Sequence, residues 1–406
     1  MKNIKFQPIL LASDINAYSM ARAFHEEYGI KSLVLARNDS GIINDSKILI
    51  YEEERKLNET EVFLKKLNEI YDRYQLIDKD LKLILIGCAD HYVRLIVENK
   101  KKLKDKFVIP HTDLNILNNI VLKETFYQLC EKYGLDYPKT FIYTKDTNKN
   151  FKLDFDFPVI LKPSDSVEYW KAPFENQYKV FTINNRKELI ETLDKIYNAG
   201  YKGNMIIQDI IPGNDSYMYD LHVFVGKDHK VKLMNLGNVL LEEHTPQGIG
   251  SNAATISTFN EEIMLKVKNV LEGIKYSGWA DCDLKFDTRD NKFKIFEINI
   301  RQGRSHYRVT ANGDNVAKYI VDDYIYNKKM SLKLVNDPYF WHMIPNGVIF
   351  KYVNDSEKKK LVKKLIKEKK EANSIYYKKD LNLKRLSRYI LKNINQYIKF
   401  KKYYHK

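Results

Sequence analysis

One strand-like segment carries polar residues whose types and spacing suit a charged ligand. Residues 294–301 alternate, so a strand there would place Glu297, Asn299 and Arg301 on one face. The opposite face would carry three apolar residues into a core: Phe296, Ile298 and Ile300. A half-buried strand that only exposes polar side chains to water shows the same alternation. The segment indicates a site only if a second oxygen-rich element lies beside it.

A second strand-like segment meets that condition. Residues 279–287 read WADCDLKFD and precede a turn, which predicts a hairpin that brings Asp283 near Glu297 and Asn299. Carboxylate and amide oxygens are ligands of hard cations, and Mg²⁺ also binds phosphates while keeping several waters. We therefore predict a magnesium site at these three residues. The alternative is a polar cross-strand face in which Lys285 pairs with Glu297.

Two lysines and a turn predict a nucleotide site. Lys162 ends the apolar run FPVIL and is followed by Ser164 and Ser166, and phosphate is a common partner of a lysine in that position. Lys123, on a preceding helix, would by itself be interpreted as a solvated residue. The segment MIIQDIIPGND combines a strand, whose backbone edge could bind adenine, with Asp215, whose carboxylate could hold ribose hydroxyls.

Polar residues also follow the first predicted strand. Asp14 and Asn16 come directly after it, and Arg22 and His25 lie further along the next helix. Ligands of parallel sheets bind beyond the carboxyl ends of the strands, so these residues are predicted to bind substrate. The alternative is a helix cap followed by a solvated face.

The elements that position these residues fall into two groups. Strands at 8–12, 32–36 and 81–86, with a helix at 15–28, predict a doubly wound parallel sheet. From about residue 115 the pattern becomes α+β. The elements predicted there are helices at 118–133 and 261–274 and strands at 157–162, 179–183, 205–211, 219–225, 231–239, 280–286 and 293–301.

Composition limits the class of protein. A length of 406 residues predicts two to four domains, at roughly 100 to 200 residues per domain. The N-terminal apolar stretch is too short for a signal peptide, and no later run approaches about 18 apolar residues. The cysteines, Cys88, Cys130 and Cys282, form no CxxC pair, so neither a disulfide framework nor a zinc site is indicated. We predict a soluble, cytoplasmic protein.

The motifs together resemble the ATP-grasp superfamily over residues 115–330. The order Lys123, Lys162, QDIIPGND, Asp283 and FEIN carries this resemblance. It implies ATP and Mg²⁺ as cofactors and an α/β (α+β) ATP-grasp fold. The domains that it implies are a Rossmann-like pre-ATP-grasp domain at 1–114, a small lobe at 115–208, a large lobe with the metal site at 209–335 and a basic helical C-terminal extension at 336–406.

The resemblance also implies a role for each matched residue. Those implied to bind ATP are Lys123, Lys162, Ser164, Ser166, Gln208, Asp209, Ile210, Ile211 and Asp215. The predicted substrate-binding residues are Asp14, Asn16, Arg22, His25, Arg301, Arg304 and Ser305. Lys162, Arg301 and Arg304 are predicted to act in catalysis by offsetting charge on the phosphoryl group or the acyl phosphate. His306 is a candidate proton acceptor, although a lone histidine after a strand is more often structural.

Two departures from the family pattern matter. The loop after Lys162 lacks the usual glycines, so Ser164, Ser166 and Lys171 or Lys179 are expected to replace their phosphate contacts. D-alanine:D-alanine ligases have an arginine two residues before the first metal carboxylate, where this chain has Asp281. The substrate of that ligase is therefore not expected.

Within the superfamily, the chain is similar to bacterial D-aspartate ligases and related carboxylate–amine ligases of cell-wall synthesis. The segments DINAYSMARAFHEEYGIKS, LKPSDSVEYW and FEINIRQGRSHY carry this similarity. It implies that ATP activates the side-chain carboxylate of D-aspartate as an acyl phosphate, which an amine of a peptidoglycan-precursor stem peptide attacks. The alternative is an ATP-grasp ligase that joins a different acid to another amine or peptide.

The C-terminal tail holds most of the formal net charge of +15, because residues 351–406 contain 19 Lys and Arg against 5 Asp and Glu. A nucleic-acid-binding protein is the rival class, but the near-neutral body argues against it and no nucleic-acid partner is predicted. The segments LVKKLIKEKK and LSRYILKNINQYIKF space apolar residues as helices on anionic membranes do. This predicts peripheral contact with the inner membrane face or attraction of an acidic nucleotide-linked substrate. The alternative is a helical stripe packed on the ligase core.

Overall fold

The structure is a computed structural model that describes residues 5–245, 248 and 250–404. The strands are β1 Phe6–Leu11, β2 Ser32–Ala36, β3 Leu49–Glu53, β4 Lys82–Gly87, β5 Phe107–Val108, β6 Thr140–Tyr143, β7 Val159–Pro163, β8 Phe181–Ile183, β9 Met205–Asp209, β10 Met218–Val225, β11 Val231–Glu242, β12 Asn252–Thr258, β13 Gly278–Asp287, β14 Lys292–Asn299, β15 Lys333–Leu334, β16 Phe340–His342 and β17 Glu371–Asn373. The helices are α1 Ile15–Tyr28, α2 Thr60–Ile77, α3 Asp90–Glu98, α4 Lys100–Leu103, α5 Leu114–Val121, α6 Lys123–Tyr133, α7 Ser166–Tyr169, α8 Arg186–Asn198, α9 Glu261–Gly273, α10 Tyr307–Ala311, α11 Val316–Tyr324, α12 Asn346–Tyr352, α13 Ser356–Lys367 and α14 Leu383–Tyr403.

The N-terminal part is the predicted parallel sheet, with strand order β3-β2-β1-β4-β5. Its central strands are apolar and buried because helices connect them and cover the sheet. Helix α1 begins after Asp14, which accepts hydrogen bonds from two backbone N–H groups, and ends at Gly29 in the left-handed conformation (φ 69°). Strands β1 and β4 run side by side and end together at Leu11 and Gly87. The segments after them therefore start at one edge of the sheet.

The middle of the chain forms a small antiparallel sheet with strand order β6-β9-β7-β8. Helix α8 packs its apolar face on this sheet through Leu189, Leu193 and Ile196, all of which are buried. Strand β7 ends with Lys162 and Pro163, and the adjacent β9 ends with Gln208 and Asp209. Two motifs that are distant in sequence thus lie in one sheet.

The third sheet is larger, with the order β14-β13-β10-β11-β12-β16-β17 and with β15 beside β11. The hairpin predicted from the sequence is its β13–β14 edge. Helix α9 covers this sheet with Met264, Val267 and Leu271. The mixed α/β architecture with a basic helical C-terminal extension agrees with the predicted fold class.

The C-terminal extension is more closely integrated than a helical appendage would be. Strands β16 and β17 lie beyond residue 335 and nevertheless belong to the large sheet. Val362, Leu365 and Phe400 from the extension lie in a core cluster with residues of β11 and β12. The predicted domain boundaries remain predictions, but the large sheet draws on chain from both sides of the 335/336 boundary.

Two local differences from the sequence prediction have clear physical causes. The helix predicted at 118–133 is two helices, since the backbone at Leu122 is extended between α5 and α6. The alternation predicted at 294–301 is interrupted by a β-bulge, because Leu284 pairs with Ile295 while Asp283 pairs with Glu297. Phe296 is the extra residue, and Ile295 is buried in the core where Phe296 was expected.

Across the described part of the chain, no helix is long and apolar enough to cross a membrane.

Candidate active site

The predicted metal residues lie together on the β13–β14 hairpin. Asp283 is the register partner of Glu297, and the amide of Asn299 donates to Asp283 Oδ2 at 3.1 Å. Lys285 does not pair with Glu297, because its ammonium donates to the carbonyl of Gly213 at 2.7 Å. The polar face of the hairpin is therefore a compact group of oxygen ligands.

Lys123 joins this group from the opposite side of the cleft. Its Nζ lies 2.7 Å from Glu297 Oε2 and 3.4 Å from the carbonyl oxygen of Phe296, the bulge residue. The Lys123 ammonium lowers the pKa of Glu297 well below its usual range and outweighs the opposing effect of burial. Glu297 is therefore an ionised carboxylate at neutral pH.

Asp283 has the opposite electrostatic environment. Burial and the carboxylates of Asp281 and Glu297 raise its pKa well above the ordinary value, although Asn299 and Arg301 oppose the shift. A cation would relieve this crowding of negative charge. The fit to Mg²⁺ rests on two carboxylates and one amide: the described residues contain no group of three or more His, Cys, Asp or Glu side chains arranged for a metal.

Lys162 lies near the same charges at the end of β7. Burial and the Lys123 ammonium lower the pKa of Lys162 to about 7, while Glu297 opposes the shift and exposed Lys179 adds to it. Three lysines thus act electrostatically on the Glu297 carboxylate, and Lys123 contacts it directly. Such an excess of positive charge suits a polyphosphate.

The loop after Lys162 is organised by side chains instead of glycines. It contains the short helix α7 and is braced by Gln177, which donates to the carbonyls of Tyr169 and Ala172. Ser164 Oγ donates to Glu124 at 2.6 Å, and Lys171 pairs with Glu168. The side chain of Ser166 lies outside the described residues.

The predicted adenine hinge is the end of β9 and the residues that follow. The Gln208 side chain is buried and donates to Tyr127 and Thr140, and Asp209 pairs with Arg289. Ile210 is partly buried and Ile211 is buried. Because the side chains of Gln208 and Asp209 already have partners within the protein, only the backbone at these positions is left to form a hydrogen bond with a base.

Asp215 lies just beyond the hinge. It accepts a hydrogen bond from the backbone N–H of Glu242 at 3.0 Å, and its Oδ2 lies 2.8 Å from His244 Nε2. Burial acts to raise the pKa of Asp215, but His244 and the backbone N–H bring it below the ordinary value. Burial and Asp215 raise the pKa of Glu242 to about 7.

The predicted substrate arginines project from the segment after the hairpin. Arg301 pairs with Asp90, which follows β4, and Arg304 Nη2 donates to Glu243 Oε1 at 3.0 Å. The buried Nε of Arg304 has no hydrogen-bond partner in the described structure.

Asp14 and Asn16 lie toward these arginines. Burial raises the pKa of Asp14, and Arg301 and Arg304 are close enough to oppose that shift. Asn16 donates to the carbonyl of Cys88, while its buried Oδ1 has no partner among the described residues. The structure thus brings the N-terminal edge and the hairpin segment to one cleft.

Arg22 and His25 lie further along α1 and contact the C-terminal segment. Arg22 pairs with Glu26, donates to three backbone carbonyls and stacks between two tyrosine rings. His25 Nδ1 lies 3.0 Å from the hydroxyl of Tyr377. These contacts hold residues 373–377 against α1.

Ser305 belongs to a buried hydrogen-bond network, and His306 packs beside it, although neither ring nitrogen of His306 has a hydrogen-bond partner among the described residues. Ser305 Oγ donates to Asp220, which pairs with Arg308 at 2.6 Å, and both partners of that pair are fully buried. His306 is buried against Trp279 and His222, and burial lowers its pKa well below the ordinary value. These contacts favour the structural interpretation of His306.

The sequence analysis missed three polar residues of the cleft. Glu243 pairs with Arg304 and also accepts from Gln396 at 3.2 Å. Burial and Arg304 lower the pKa of Lys392 to about 8, although Glu243 opposes the shift. Gln396 and Lys392 lie on α14, so the C-terminal helix forms part of the wall. Only tertiary packing brings residue 392 to residue 304, and no motif signals it.

Comparison with known proteins identifies the family. No protein-family model matches the sequence. The chain is 39% identical to a D-aspartate ligase of Enterococcus faecium (strain Aus0004), and the match covers 100% of this chain and 98% of that protein. The chain belongs to the D-aspartate ligase family. It is accordingly an ATP-dependent carboxylate–amine ligase, as the sequence resemblance implied.

Solved structures at lower identity show the fold of this D-aspartate ligase family member. An L-amino acid ligase from Bacillus licheniformis matches with a TM-score of 0.55 and 15% identity over 80% of this chain and 75% of that one. A biotin carboxylase domain from Hydrogenobacter thermophilus, in complex with MgADP, matches with a TM-score of 0.59 and 13% identity over 80% of this chain and 71% of that one. An N5-carboxyaminoimidazole synthetase from Staphylococcus aureus, complexed with ADP, matches with a TM-score of 0.56 and 16% identity over 84% of this chain and 83% of that one. The ATP-grasp fold expected from the sequence is confirmed.

Proposed function

We propose that the chain activates the side-chain carboxylate of D-aspartate with ATP and joins it to an amine of a peptidoglycan-precursor stem peptide. The full-length match to a D-aspartate ligase carries this proposal. The cleft supports it, because cationic side chains for phosphates lie beside oxygen ligands for a metal and beside arginines suited to carboxylates.

A carboxylate needs activation because its leaving group would otherwise be oxide. Attack of a D-aspartate carboxylate oxygen on the γ-phosphorus of ATP gives an acyl phosphate and ADP. The incoming amine nitrogen then attacks the acyl carbon, phosphate leaves, and the amine loses a proton. No nucleophilic side chain of the protein is required, so the protein acts by positioning and by offsetting charge.

Lys123 and Lys162 are proposed to hold the ATP phosphates. In the structure, Lys123 is paired with Glu297. Asp283, Glu297 and Asn299 would hold Mg²⁺, which supplies neutralisation of charge on the phosphate oxygens when bound. Ser164 and Ser166 are proposed to contact the phosphates as well.

The base and sugar of ATP are proposed to lie along the end of β9. The backbone of residues 208–211 would contact adenine, since the side chains of Gln208 and Asp209 already have protein partners. Asp215 would accept hydrogen bonds from the ribose hydroxyls. Its lowered pKa keeps it an acceptor at neutral pH.

The acid and the acceptor are proposed to bind between the arginines and the N-terminal edge. Arg301 and Arg304 would grip the amino-acid carboxylates and the acyl phosphate, with the unpartnered Nε of Arg304 as one donor. Asp14 and Asn16 are placed to bind the ammonium group or the acceptor amine. Ser305 would support this site from below through Asp220.

The test is ADP release from the purified protein over a panel of D- and L-amino acids, with a nucleotide-linked stem peptide as acceptor. Release that depends on both D-aspartate and the peptide is the expected result. Release with another acid or with a free amino acid as acceptor would favour the alternative ATP-grasp ligase. The full match to a D-aspartate ligase favours the first outcome.

A further inference from the structure

Helix α14 presents an apolar face to solvent. The residues that its solvent-facing side exposes at helical spacing are Leu383, Leu386, Ile390, Leu391, Ile394, Tyr397 and Ile398. Their exposures reach 86% at Leu383, 64% at Leu391 and 60% at Ile398. We call these seven residues the α14 stripe. Apolar residues exposed in one continuous row mark a contact surface more often than isolated ones do.

The opposite face of α14 fixes the helix to the body of the protein. Arg385 is buried, donates to the carbonyls of Ile42 and Asn44 and pairs with Asp380. Further along, Gln396 bonds Glu243, and Phe400 is buried in a core cluster. The helix therefore turns Arg385, Gln396 and Phe400 inward and the seven residues of the stripe outward. The exposed stripe is a fixed feature of a docked helix.

Lysines border the stripe at both ends, and acidic residues are absent from the helix. Lys384 lies at the start, and Lys401 and Lys402 lie at the end, all exposed. They are about 25 Å apart along the axis, at about 1.5 Å per residue. Residues 383–403 contain no Asp or Glu. A partner that covers the stripe must therefore combine apolar and anionic groups.

These features distinguish a lipid surface from a second copy of the chain. Two-fold pairing of α14 with itself in an antiparallel arrangement would place Lys384 of one copy against Lys401 and Lys402 of the other. No carboxylate on either helix would offset this repulsion, and Asp45, which lies 3.7 Å from Lys384 in the same copy, already pairs with Arg388. An anionic bilayer offers acyl chains to the stripe and phosphates to the lysines, whose long stems let the ammonium groups reach the headgroups.

We propose that the α14 stripe binds the surface of an anionic lipid bilayer, with α14 lying in the interface plane and its polar face still forming part of the ligase cleft. This surface is independent of the proposed reaction. It involves residues that contact neither the hairpin nor the predicted ATP groups.

Sedimentation with lipid vesicles tests the proposal on the full chain. The wild type should sediment with vesicles of phosphatidylglycerol mixed with phosphatidylcholine and remain in solution with phosphatidylcholine alone. The double variant Ile390→Ser, Ile394→Ser should lose at least tenfold in vesicle affinity. The control is Leu76→Ser, Ile77→Ser, which removes two apolar side chains of greater exposure from the end of α2 and should bind as the wild type does.

A second variant tests the charges. Lys401→Gln, Lys402→Gln should weaken binding about fivefold per lysine, since each basic residue near an anionic surface contributes about 1 kcal/mol. ADP release with water-soluble substrates should be unchanged in Ile390→Ser, Ile394→Ser and in Lys401→Gln, Lys402→Gln, which shows that both variants are folded and separates this test from that of the proposed function.

Three results would overturn the proposal. The first is that the wild type does not sediment with anionic vesicles. The second is that Leu76→Ser, Ile77→Ser loses as much vesicle affinity as Ile390→Ser, Ile394→Ser. The third is a wild-type dimer that Ile390→Ser, Ile394→Ser converts to a monomer, which would assign the stripe to a second copy.

Discussion

Lys123 and Glu297 form an ion pair, 2.7 Å from Nζ to Oε2, between residues 174 positions apart in the chain. The pair connects the start of α6 to the metal face of the hairpin. In the structure, the Lys123 ammonium offsets the charge of the Glu297 carboxylate and keeps it ionised by lowering its pKa. When ATP and Mg²⁺ bind, we expect each partner to turn to a stronger one, the lysine to phosphate and the carboxylate to metal.

Glu297→Gln should lower kcat by at least about tenfold, which corresponds to about 1.4 kcal/mol in the barrier. The amide keeps the shape of the side chain but loses the charge that binds the metal, so the apparent KM for Mg²⁺ should rise as well. Asn299→Ala should behave similarly. Glu262→Gln, which changes an exposed glutamate on α9, is the control. Steady-state kinetics with near-normal turnover in Glu297→Gln would exclude the metal role.

ATP binding should depend on pH through Lys162. The side chain is charged below its pKa of about 7 and loses its proton above it, so ATP affinity of the free enzyme should weaken as the pH rises through that value. Lys162→Met should bind ATP weakly and without this dependence. Calorimetric titration with ATP at several pH values measures the affinity and its pH dependence for the wild type and for Lys162→Met. Lys139→Met, at an exposed lysine of the small lobe, should keep the wild-type profile, and an unchanged profile in Lys162→Met would contradict the assignment.

Arg304→Gln should raise the KM for the acid by more than about tenfold while leaving the KM for ATP unchanged. The substitution removes the guanidinium fork that we place on a substrate carboxylate, a contact whose loss costs about 1.5 to 3 kcal/mol. Initial rates at varied acid and ATP distinguish the two effects. Arg186→Gln on α8 provides the control. A change confined to the KM for ATP would move Arg304 to the nucleotide side.

Asn16→Ala and Arg22→Ala should have different effects, although both lie on α1. Asn16 is buried, and its Oδ1 has no partner among the described residues. We propose that it binds the acid or the acceptor, so its loss should raise the KM for one substrate and spare ATP. Arg22 holds the 373–377 segment, and its loss leaves three carbonyls without their donor, which should lower the free energy of unfolding by about 2 to 4 kcal/mol. Thermal melts of both variants measure the change in stability, and substrate titrations measure the change in KM. A KM effect from Arg22→Ala at unchanged stability would instead support its predicted role in binding substrate.

The buried Asp220–Arg308 pair should make the free energy of unfolding depend on pH in the acidic range. Burial acts to raise the pKa of Asp220, but Arg308 and its other partners bring it below the ordinary value. The stabilisation that the ionised Asp220 carboxylate contributes is therefore fully present above its pKa in the unfolded state. It is lost as the pH falls through its pKa in the folded state. Asp220→Asn leaves Arg308 unpaired and should cost about 3 to 5 kcal/mol. Denaturant unfolding at neutral and acidic pH measures both effects.

Local sequence was sufficient for much of the fold. Helix α1 and strand β2 have the predicted bounds, because a cap, a terminal glycine and short apolar runs act through neighbouring residues. The hairpin was also predictable, since period-two patterning specifies which residues share a face. The bulge at Phe296 was not, because pairing with β13 and contact with the cleft decide which residue is left over.

For the site, the sequence by itself determined which chemical types are present, and from them it predicted lysines for phosphate, carboxylates and an amide for metal, and arginines for a substrate carboxylate. Only the tertiary structure decided that Lys123 meets Glu297, that Arg22 turns to the C-terminal segment and that α14 places Lys392 beside Arg304 while exposing its apolar stripe. Periodicity shows that α14 has two faces. Which face turns inward depends on partners such as Asp380 and Glu243, which lie on other elements of the chain.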